Sequence, residues 1–263
     1  MKFSIRRSFV AAASAVRGGW PSTLIPIIAG LAFGVLSYYL SVFMEFKVLR
    51  NSTALSIAQI STYLCSFLIV FFSFCTLGFR RVLALSGSEK KEIGITINSI
   101  VVGVVYASMG PGLASILSVL SPLLGEAVGD GQWWSPHRWL LPVILIWPVV
   151  FSSAFAFAIP ISLHQRSGLA QSFLSAFTVG KGNRVRIFIL FLIVATLGAA
   201  LATIFGTLAE IVSPRRYSVS YAVVLQFGVV AATAIAAIIS VIAYLELKSA
   251  EGGDANGVAK AFS

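Results

Sequence analysis

The side chains that bind metals or act as nucleophiles are few in this chain, and their spacing keeps them apart. Its two histidines, His137 and His164, are separated by 27 residues of mostly apolar sequence. At about 1.5 Å of rise per helical residue they would lie about 40 Å apart, too far to share an ion. Cys65 and Cys75 are ten residues apart in one apolar segment, too far to form a disulfide within a helix. We expect no metal site, and we expect both cysteines to be small core residues.

Motifs of known catalytic sites are also missing from the sequence. It contains no paired carboxylates, no Walker motif and no glycine-rich nucleotide-binding motif. Lipid phosphotransferases that act at membrane surfaces use clustered aspartates, whereas this chain has only Asp130 and Asp254. We therefore predict that the protein is not an enzyme and needs no cofactor.

Long apolar segments are the elements that position all of these residues. The chain has 263 residues, of which 58% are hydrophobic and 11% charged, and its mean hydropathy is +0.94. Such a composition exceeds what one soluble core can bury. Crossing a hydrocarbon layer of roughly 30 Å takes about 20 helical residues, and these segments lack the alternation of barrel strands. The sequence predicts an all-α membrane protein, a six-helix bundle with spans at about 24–44, 54–77, 95–123, 140–163, 187–211 and 221–245.

Lysines and arginines are concentrated on alternate connections between these segments. Of the 19 basic residues, 14 lie before the first span, after the second, after the fourth or after the sixth, which leads into the tail at 249–263, and 5 lie on the opposite side. The positive-inside rule therefore predicts a multi-pass protein of the bacterial inner membrane with both termini in the cytoplasm. The basic residues that we expect to contact anionic lipid or a partner protein are Arg6, Arg7, Arg17, Arg80, Arg81, Arg166, Lys181, Arg184 and Arg186.

The net charge of +10 follows from this topology. It also attracts the chain to anionic headgroups, at about 1 kcal/mol for each surface cation. We expect no nucleic-acid partner.

Residues 1–20 have the pattern of an interfacial amphipathic helix. Apolar residues recur on one helical face, at Ile5, Phe9, Ala13, Val16 and Trp20. The arginines of this segment lie elsewhere, as in a helix on the cytoplasmic leaflet. Two alternatives are a secretory signal, because residues 13–15 read Ala-Ser-Ala, and an organellar transit peptide, because no acidic residue precedes Glu45.

A short cytoplasmic helix is predicted between the fourth and fifth spans. Ser167 is placed to cap it and Gly180 to end it. Its apolar residues, Leu169, Phe173, Ala176 and Phe177, fall on one face. The helix with its basic cluster is either a docking surface for lipid or a partner, or an ordinary topology signal. After the second span, at residues 79–92, we expect Ser88 to cap a helix that leads into the third span.

Ionisable residues avoid the middle of every predicted span. Glu45, Glu210 and Glu246 all lie at span ends. Ion-coupled transporters usually place such groups within the bilayer, so the pattern argues against that class but leaves a facilitator with a neutral path open. Gln226 is the most polar side chain well inside the sixth span, and we expect it to form an interhelical hydrogen bond.

Small residues and prolines shape the predicted bundle. Small residues recur at four-residue intervals, which lets helices approach closely within the bundle or between copies of the chain. The positions are Gly30 and Gly34; Gly198, Ala202 and Gly206; and Gly228, Ala232 and Ala236. Kinks are expected at Pro26, Pro111, Pro142, Pro148 and Pro160.

The second half of the chain resembles a known group of membrane proteins. The matching segments are IPI at 159–161, RSGLAQSF at 166–173, TVGKGNRVRIF at 178–188, and AYLELK at 243–248 followed by GGD at 252–254. They are similar to bacterial six-span proteins of the glycerophosphoryl diester phosphodiesterase membrane domain and the YciC-like group. The resemblance implies a non-catalytic inner-membrane bundle that organises lipids or partner proteins.

Two hypotheses follow for the six-span domain, residues 21–248. The first is a scaffold or accessory subunit that binds anionic lipid, a membrane-protein partner or a second copy of itself. The second is a permease or facilitator subunit, paired with a separate ATPase, because residues 168–179 have the position and length of a coupling helix. This stretch lacks the Glu-Ala-Ala pattern of importers of that kind.

Overall fold

The described part of the chain consists of helices joined by short turns and irregular connections. A computed structural model describes residues 5–6, 8–10, 12–13, 24–45, 53–86, 95–109, 136–213 and 218–251, with no strand among them. The helices are α1 Leu24–Glu45, α2 Thr53–Ser86, α3 Ile97–Ala107, α4 Pro136–Phe155, α5 Ala158–Gln165, α6 Leu169–Val179, α7 Arg184–Val212 and α8 Val219–Glu251. The all-α class expected from the sequence is confirmed for this part of the chain.

Four helical segments in the described ranges are long and apolar enough to cross a membrane. They are Ser61–Arg80, Ile146–Gln165, Arg184–Val212 and Val219–Ser249. Leu24–Leu40 and Ile97–Ala107 are shorter apolar segments that coincide with the first and third predicted spans. Residues 110–123 of the third predicted span, with Pro111, lie outside the described residues. The helices are thus typical of a membrane protein, and the count of six spans stays a prediction.

Helix α2 continues well beyond the predicted end of the second span. The prediction ends that span at residue 77, before two arginines, whereas α2 runs to Ser86. Phe79 is fully buried, and its ring centroid lies 6.2 Å from that of Tyr244 in α8. The packing against α8 therefore extends at least to Phe79, two residues beyond the predicted end of the span. The predicted cap at Ser88 lies outside the described residues.

The fourth predicted span is two helices instead of one. α4 ends at Phe155 and α5 begins at Ala158, so that Pro160 falls in the first turn of α5. A proline has no N–H, and its ring crowds the carbonyl four residues earlier, here that of Ala156. The expected kink at Pro160 is confirmed. Pro26, Pro142 and Pro148 lie within continuous helices.

The chain divides into two compact units. Unit 1 consists of Met1–Thr96 and Ile193–Ser263, and unit 2 of Ile97–Leu192. In unit 1, α1, α2 and α8 all pack against one another. In unit 2, α3 packs against α5 and α6, and α6 packs against α4 and α5.

The contacts within unit 1 give the direction of each helix. Ser66 of α2 donates a 2.8 Å hydrogen bond to the carbonyl oxygen of Gly30 in α1, and the Sγ of Cys75 lies 3.7 Å from the carbonyl oxygen of Ala237 in α8. Tyr38 of α1 meets Tyr221 of α8, with ring centroids 6.0 Å apart. Helix α1 is therefore antiparallel to α2 and α8, which are parallel to each other.

Glycines mark the closest approaches of α1 to its neighbours. A Cβ at Gly30 would overlap the Cγ2 of Val70 in α2, and one at Gly34 would lie 2.8 Å from the Oε1 of Gln226 in α8. A larger residue at Gly30 would have to displace Val70, and one at Gly34 would have to displace the amide of Gln226.

Helices α7 and α8 also approach through small residues. A Cβ at Gly228 would lie 2.9 Å from the Cβ of Phe205, and one at Gly198 would lie 3.5 Å from the Cβ of Ala232. The remaining small residues are less tightly enclosed. A Cβ at Gly206 would lie 3.9 Å from the Cδ1 of Leu225. Ala202 is exposed, and Ala236 is half-buried.

The helical residues near the N-terminus contact the end of α8. Ser8 is fully buried, and its hydroxyl donates a 3.1 Å hydrogen bond to the Oε2 of Glu246. Ile5, Phe9 and Ala12 are half-buried, whereas Ala13 is exposed. The buried side thus contains Ser8 and differs from the predicted apolar face. Two residues of that predicted face, Val16 and Trp20, lie outside the described residues. A polar residue occupies this buried face because it forms a hydrogen bond to the carboxylate of Glu246.

Replacing Ser8 with alanine should loosen this N-terminal helix. A hydrogen bond to a charged group contributes about 1.5–3 kcal/mol, so its loss should speed tryptic cleavage after Arg6 by on the order of tenfold. Limited digestion of the purified protein, followed by mass spectrometry, measures the rate. Val10→Ala, at an exposed position of the same segment, is the control and should be cleaved at the original rate. Equal rates for Ser8→Ala and wild type would show that the contact does not hold the segment.

Candidate membrane-interface site

Helix α6 begins immediately after a reversal of the chain. Arg166 follows α5 with φ 53°, the only positive φ at a non-glycine residue in the described ranges. Gly168 is the N-cap of α6, with no side-chain cap, so the expected cap by Ser167 is wrong. The Ser172 hydroxyl instead donates to the carbonyl oxygen of Gly168 at 2.8 Å. It lies 2.7 Å from the Ser167 hydroxyl, which is then the donor. The hydroxyl of Ser167 therefore donates to Ser172, and that of Ser172 donates to the backbone of Gly168.

A four-residue turn joins α6 to α7. Gly180 is the C-cap of α6, as predicted. The N–H of Lys181 donates to the carbonyl oxygen of Thr178 at 2.9 Å, and that of Asn183 donates to Gly180 at 3.1 Å. Gly182 has φ +89°, a conformation that other residues rarely adopt. The turn brings the first residue of α7 beside the last turn of α6.

Arg184 and Phe177 meet across this turn. The Cζ of Arg184 lies 3.8 Å from the centroid of the Phe177 ring. A guanidinium over an aromatic face at an exposed site gains about 0.5–1 kcal/mol. The stacking orients the guanidinium while its N–H groups, at the edge of the plane, still point outward to a ligand.

Large apolar side chains are exposed on α6. Leu174 is 68% exposed, Phe177 44% and Leu169 39%. The opposite side, with Ser172 and Ala176, is buried. The single apolar face expected from the sequence is therefore wrong, because Ala176 points into the protein while Leu169 and Phe177 point out. Exposed leucine and phenylalanine beside cations suit the boundary between acyl chains and headgroups.

Exposed cations stand at both ends of α6. Arg166 precedes the helix, and Lys181 and Arg184 follow it. The helix has 11 residues and so spans about 16 Å. We call Leu169, Leu174 and Phe177, together with Arg166, Lys181 and Arg184, the interfacial patch. Arg186 is half-buried in the first turn of α7 and is not part of it.

Aromatic rings hold α6 in place within unit 2. The ring of Phe155, at the end of α4, lies 5.3 Å from that of Phe173 and 6.4 Å from that of Phe177. Further along, the indole N–H of Trp147 donates to the carbonyl oxygen of Met109 at 2.7 Å. The patch is thus positioned by a packed aromatic row and not by a free loop.

The other basic residues expected to contact lipid belong to unit 1. Arg6 and Arg80 are exposed. The side chain of Arg81 is not described, and Arg7 and Arg17 lie outside the described residues.

The structure describes only part of the set of metal-binding and nucleophilic side chains. His164 is half-buried at the end of α5, whereas the side chain of His137 is not described. Both cysteines are free thiols; Cys75 is buried, but Cys65 is exposed, so the expectation of a core position is wrong for Cys65. Among the residues that the structure describes, no three His, Cys, Asp or Glu side chains are grouped to hold a metal.

Gln226 shows what sequence reasoning missed. Its amide forms no hydrogen bond to any residue in the described ranges, so the expected interhelical hydrogen bond is absent there. The side chain instead lines a cavity between α1, α2 and α8. The sequence shows that Gln226 is polar within an apolar helix, but it contains no signal for which helices face it.

Comparison with known proteins identifies no relative of this chain. No protein-family model, curated protein or solved structure matches the chain. The resemblance to the glycerophosphoryl diester phosphodiesterase membrane domain therefore stays a prediction from the quoted segments.

Proposed function

We propose that the protein is a non-catalytic integral membrane protein, a scaffold or accessory subunit that binds anionic lipid headgroups through the interfacial patch. The observation behind this proposal is the combination, on α6 and the start of α7, of three exposed cations with three exposed large apolar side chains. In water the exposed apolar side chains are costly, whereas at an anionic membrane surface the apolar side chains and the cations both gain free energy.

Each part of the patch has a distinct role in this proposal. Leu169, Leu174 and Phe177 enter the boundary between headgroups and acyl chains. Arg166, Lys181 and Arg184 bind lipid phosphates, at about 1 kcal/mol for each cation. Arg184 is positioned by Phe177, so one pair of residues joins the apolar and the charged halves of the patch.

The same proposal includes six spans in a bacterial inner membrane, with both termini in the cytoplasm. The distribution of basic residues supports this orientation. The antiparallel arrangement of α1 against α2 and α8 supports an even number of spans with both termini on one side, because spans two and six must then run opposite to span one. The hydrogen bond from Ser8 to Glu246 supports the same point, because it joins the two terminal segments at one end of α8.

The experiment that tests this function measures which lipids stay with the protein. The purified chain is reconstituted in nanodiscs of mixed phosphatidylglycerol and phosphatidylethanolamine, and its bound lipids are counted by native mass spectrometry. We expect enrichment of phosphatidylglycerol that falls as salt rises, because exposed charges are screened. Retained lipid in the same ratio as the bulk bilayer would contradict lipid binding by the patch. Solute flux by the protein alone, well above that of empty vesicles, would contradict the scaffold in favour of a facilitator.

A further inference from the structure

A cavity of about 100 Å³ lies in unit 1 between α1, α2 and α8. Its polar lining consists of Ser37, Tyr63, Ser66, Gln226 and Thr233. Gly34 also lines it, and the missing side chain there makes room for the amide of Gln226. None of the described residues that line the cavity is charged at neutral pH.

Two of these polar groups, the hydroxyl of Tyr63 and the amide of Gln226, form no hydrogen bond to a described residue. Ser66 donates to the carbonyl oxygen of Gly30 at 2.8 Å, and Thr233 donates to that of Val229 at 2.9 Å. Both of these hydroxyls retain lone pairs as acceptors. The cavity therefore presents both donors and acceptors to whatever occupies it.

The position of the cavity makes these unpaired groups expensive. Gly34 is about 16 Å of helix from the end of α1, Tyr63 about 15 Å from the start of α2, and Gln226 about 10 Å from the start of α8. In the proposed six-span arrangement these positions lie within a hydrocarbon layer of about 30 Å. A polar group that lacks a hydrogen bond in such surroundings costs on the order of several kcal/mol, so an occupant that pairs with the amide and the phenol is favoured.

We propose that this cavity binds a small neutral solute that has both hydrogen-bond donors and acceptors. An ion is disfavoured, because no charged side chain among the described residues lines the cavity to offset the cost of desolvating it. The volume accommodates about three water molecules, or one solute of equal size. Glycerol and acetamide have this chemistry and this size. The site is separate from the interfacial patch, which belongs to unit 2, and does not depend on its function.

The test is saturation-transfer NMR on the full chain in nanodiscs, with acetamide, glycerol and acetate as probes. Acetamide and acetate have nearly the same shape, and only acetate is charged. We expect transfer to acetamide and glycerol above that of empty nanodiscs, and none to acetate. Gln226→Leu, which removes the amide but keeps its bulk, should lower the acetamide signal at least fivefold. Gly34→Ala should do the same, because its Cβ displaces the amide oxygen.

Gly198→Ala is the matched control, because its added Cβ meets Ala232 at an ordinary contact distance of 3.5 Å, and it should bind as wild type does. If Gly34→Ala does not fold, Gln226→Leu decides alone. The proposal is overturned by equal signals for acetamide and acetate, or by an unchanged acetamide signal in Gln226→Leu. It is also overturned if neither neutral probe binds the wild-type protein, since the cavity then holds water only.

Discussion

Replacing Arg166, Lys181 and Arg184 together with glutamine is expected to weaken the binding of anionic lipid by on the order of 100-fold. Each surface cation near anionic headgroups contributes about 1 kcal/mol, and about 1.4 kcal/mol corresponds to a factor of ten in affinity. All three side chains are exposed, so glutamine at these positions should leave the fold intact. Displacement of phosphatidylglycerol from the reconstituted protein, followed by native mass spectrometry, measures the change.

A charge-conserving triple variant separates charge from shape. Arg166→Lys, Lys181→Arg and Arg184→Lys keep three cations, so we expect most of the affinity to remain. The loss of the planar guanidinium over Phe177 should cost only about 0.5–1 kcal/mol. If the glutamine variant binds phosphatidylglycerol as tightly as wild type does, the interfacial patch is not the lipid site. If the charge-conserving variant loses as much as the glutamine variant, charge is not what the patch supplies.

Alanine at two glycines of the α7–α8 interface is expected to change stability in opposite directions. In Gly228→Ala the new Cβ would lie 2.9 Å from the Cβ of Phe205 and 3.2 Å from the carbonyl oxygen of Leu201. Both contacts are with groups close to the backbone of α7, so the helices must separate. Overpacking of this kind costs about 1–3 kcal/mol.

Gly198→Ala is the matched control on the facing helix. Its Cβ would touch only the Cβ of Ala232, at 3.5 Å. Removing a glycine from a helix interior is favourable by roughly 0.5–1 kcal/mol. Unfolding in detergent, followed by circular dichroism, should therefore rank Gly228→Ala below wild type and Gly198→Ala at or above it. The opposite ranking would show that α7 and α8 do not pack as the structure has them.

Apolar runs were a good guide to the helices but a poor guide to their ends. The predicted spans at 24–44, 187–211 and 221–245 fall within α1, α7 and α8, because runs of this length form helices wherever they are packed. Helix α2 runs to Ser86, beyond the predicted end of the second span at residue 77, and at this point Phe79 is buried against α8 while Arg80 is exposed. A charge in the sequence does not show whether the neighbouring side chains continue to pack.

The interfacial patch was predictable only in part. The short helix, its end at Gly180 and its cations all follow from residue types and their order. The exposed side of α6 does not, since the aromatic row from Phe155 and the serine pair Ser167–Ser172 rotate the helix so that Ala176 is inside. Contacts between separate helices, such as that of Phe155 with Phe173, lie beyond any helical periodicity.

The sequence by itself determined that this chain is built of apolar helices, because that property depends on composition alone. The placement of its cations on alternate connections and the distance between its histidines stay predictions. Only the tertiary structure decided that Gln226 faces Gly34 beside Tyr63, that Gly228 fits against Phe205, and that Arg184 stacks on Phe177. The first two contacts depend on which helices pack together and in what register, and the third depends on one tight turn. Many apolar residues have similar sizes, so the sequence alone does not specify which helices pair or in what register.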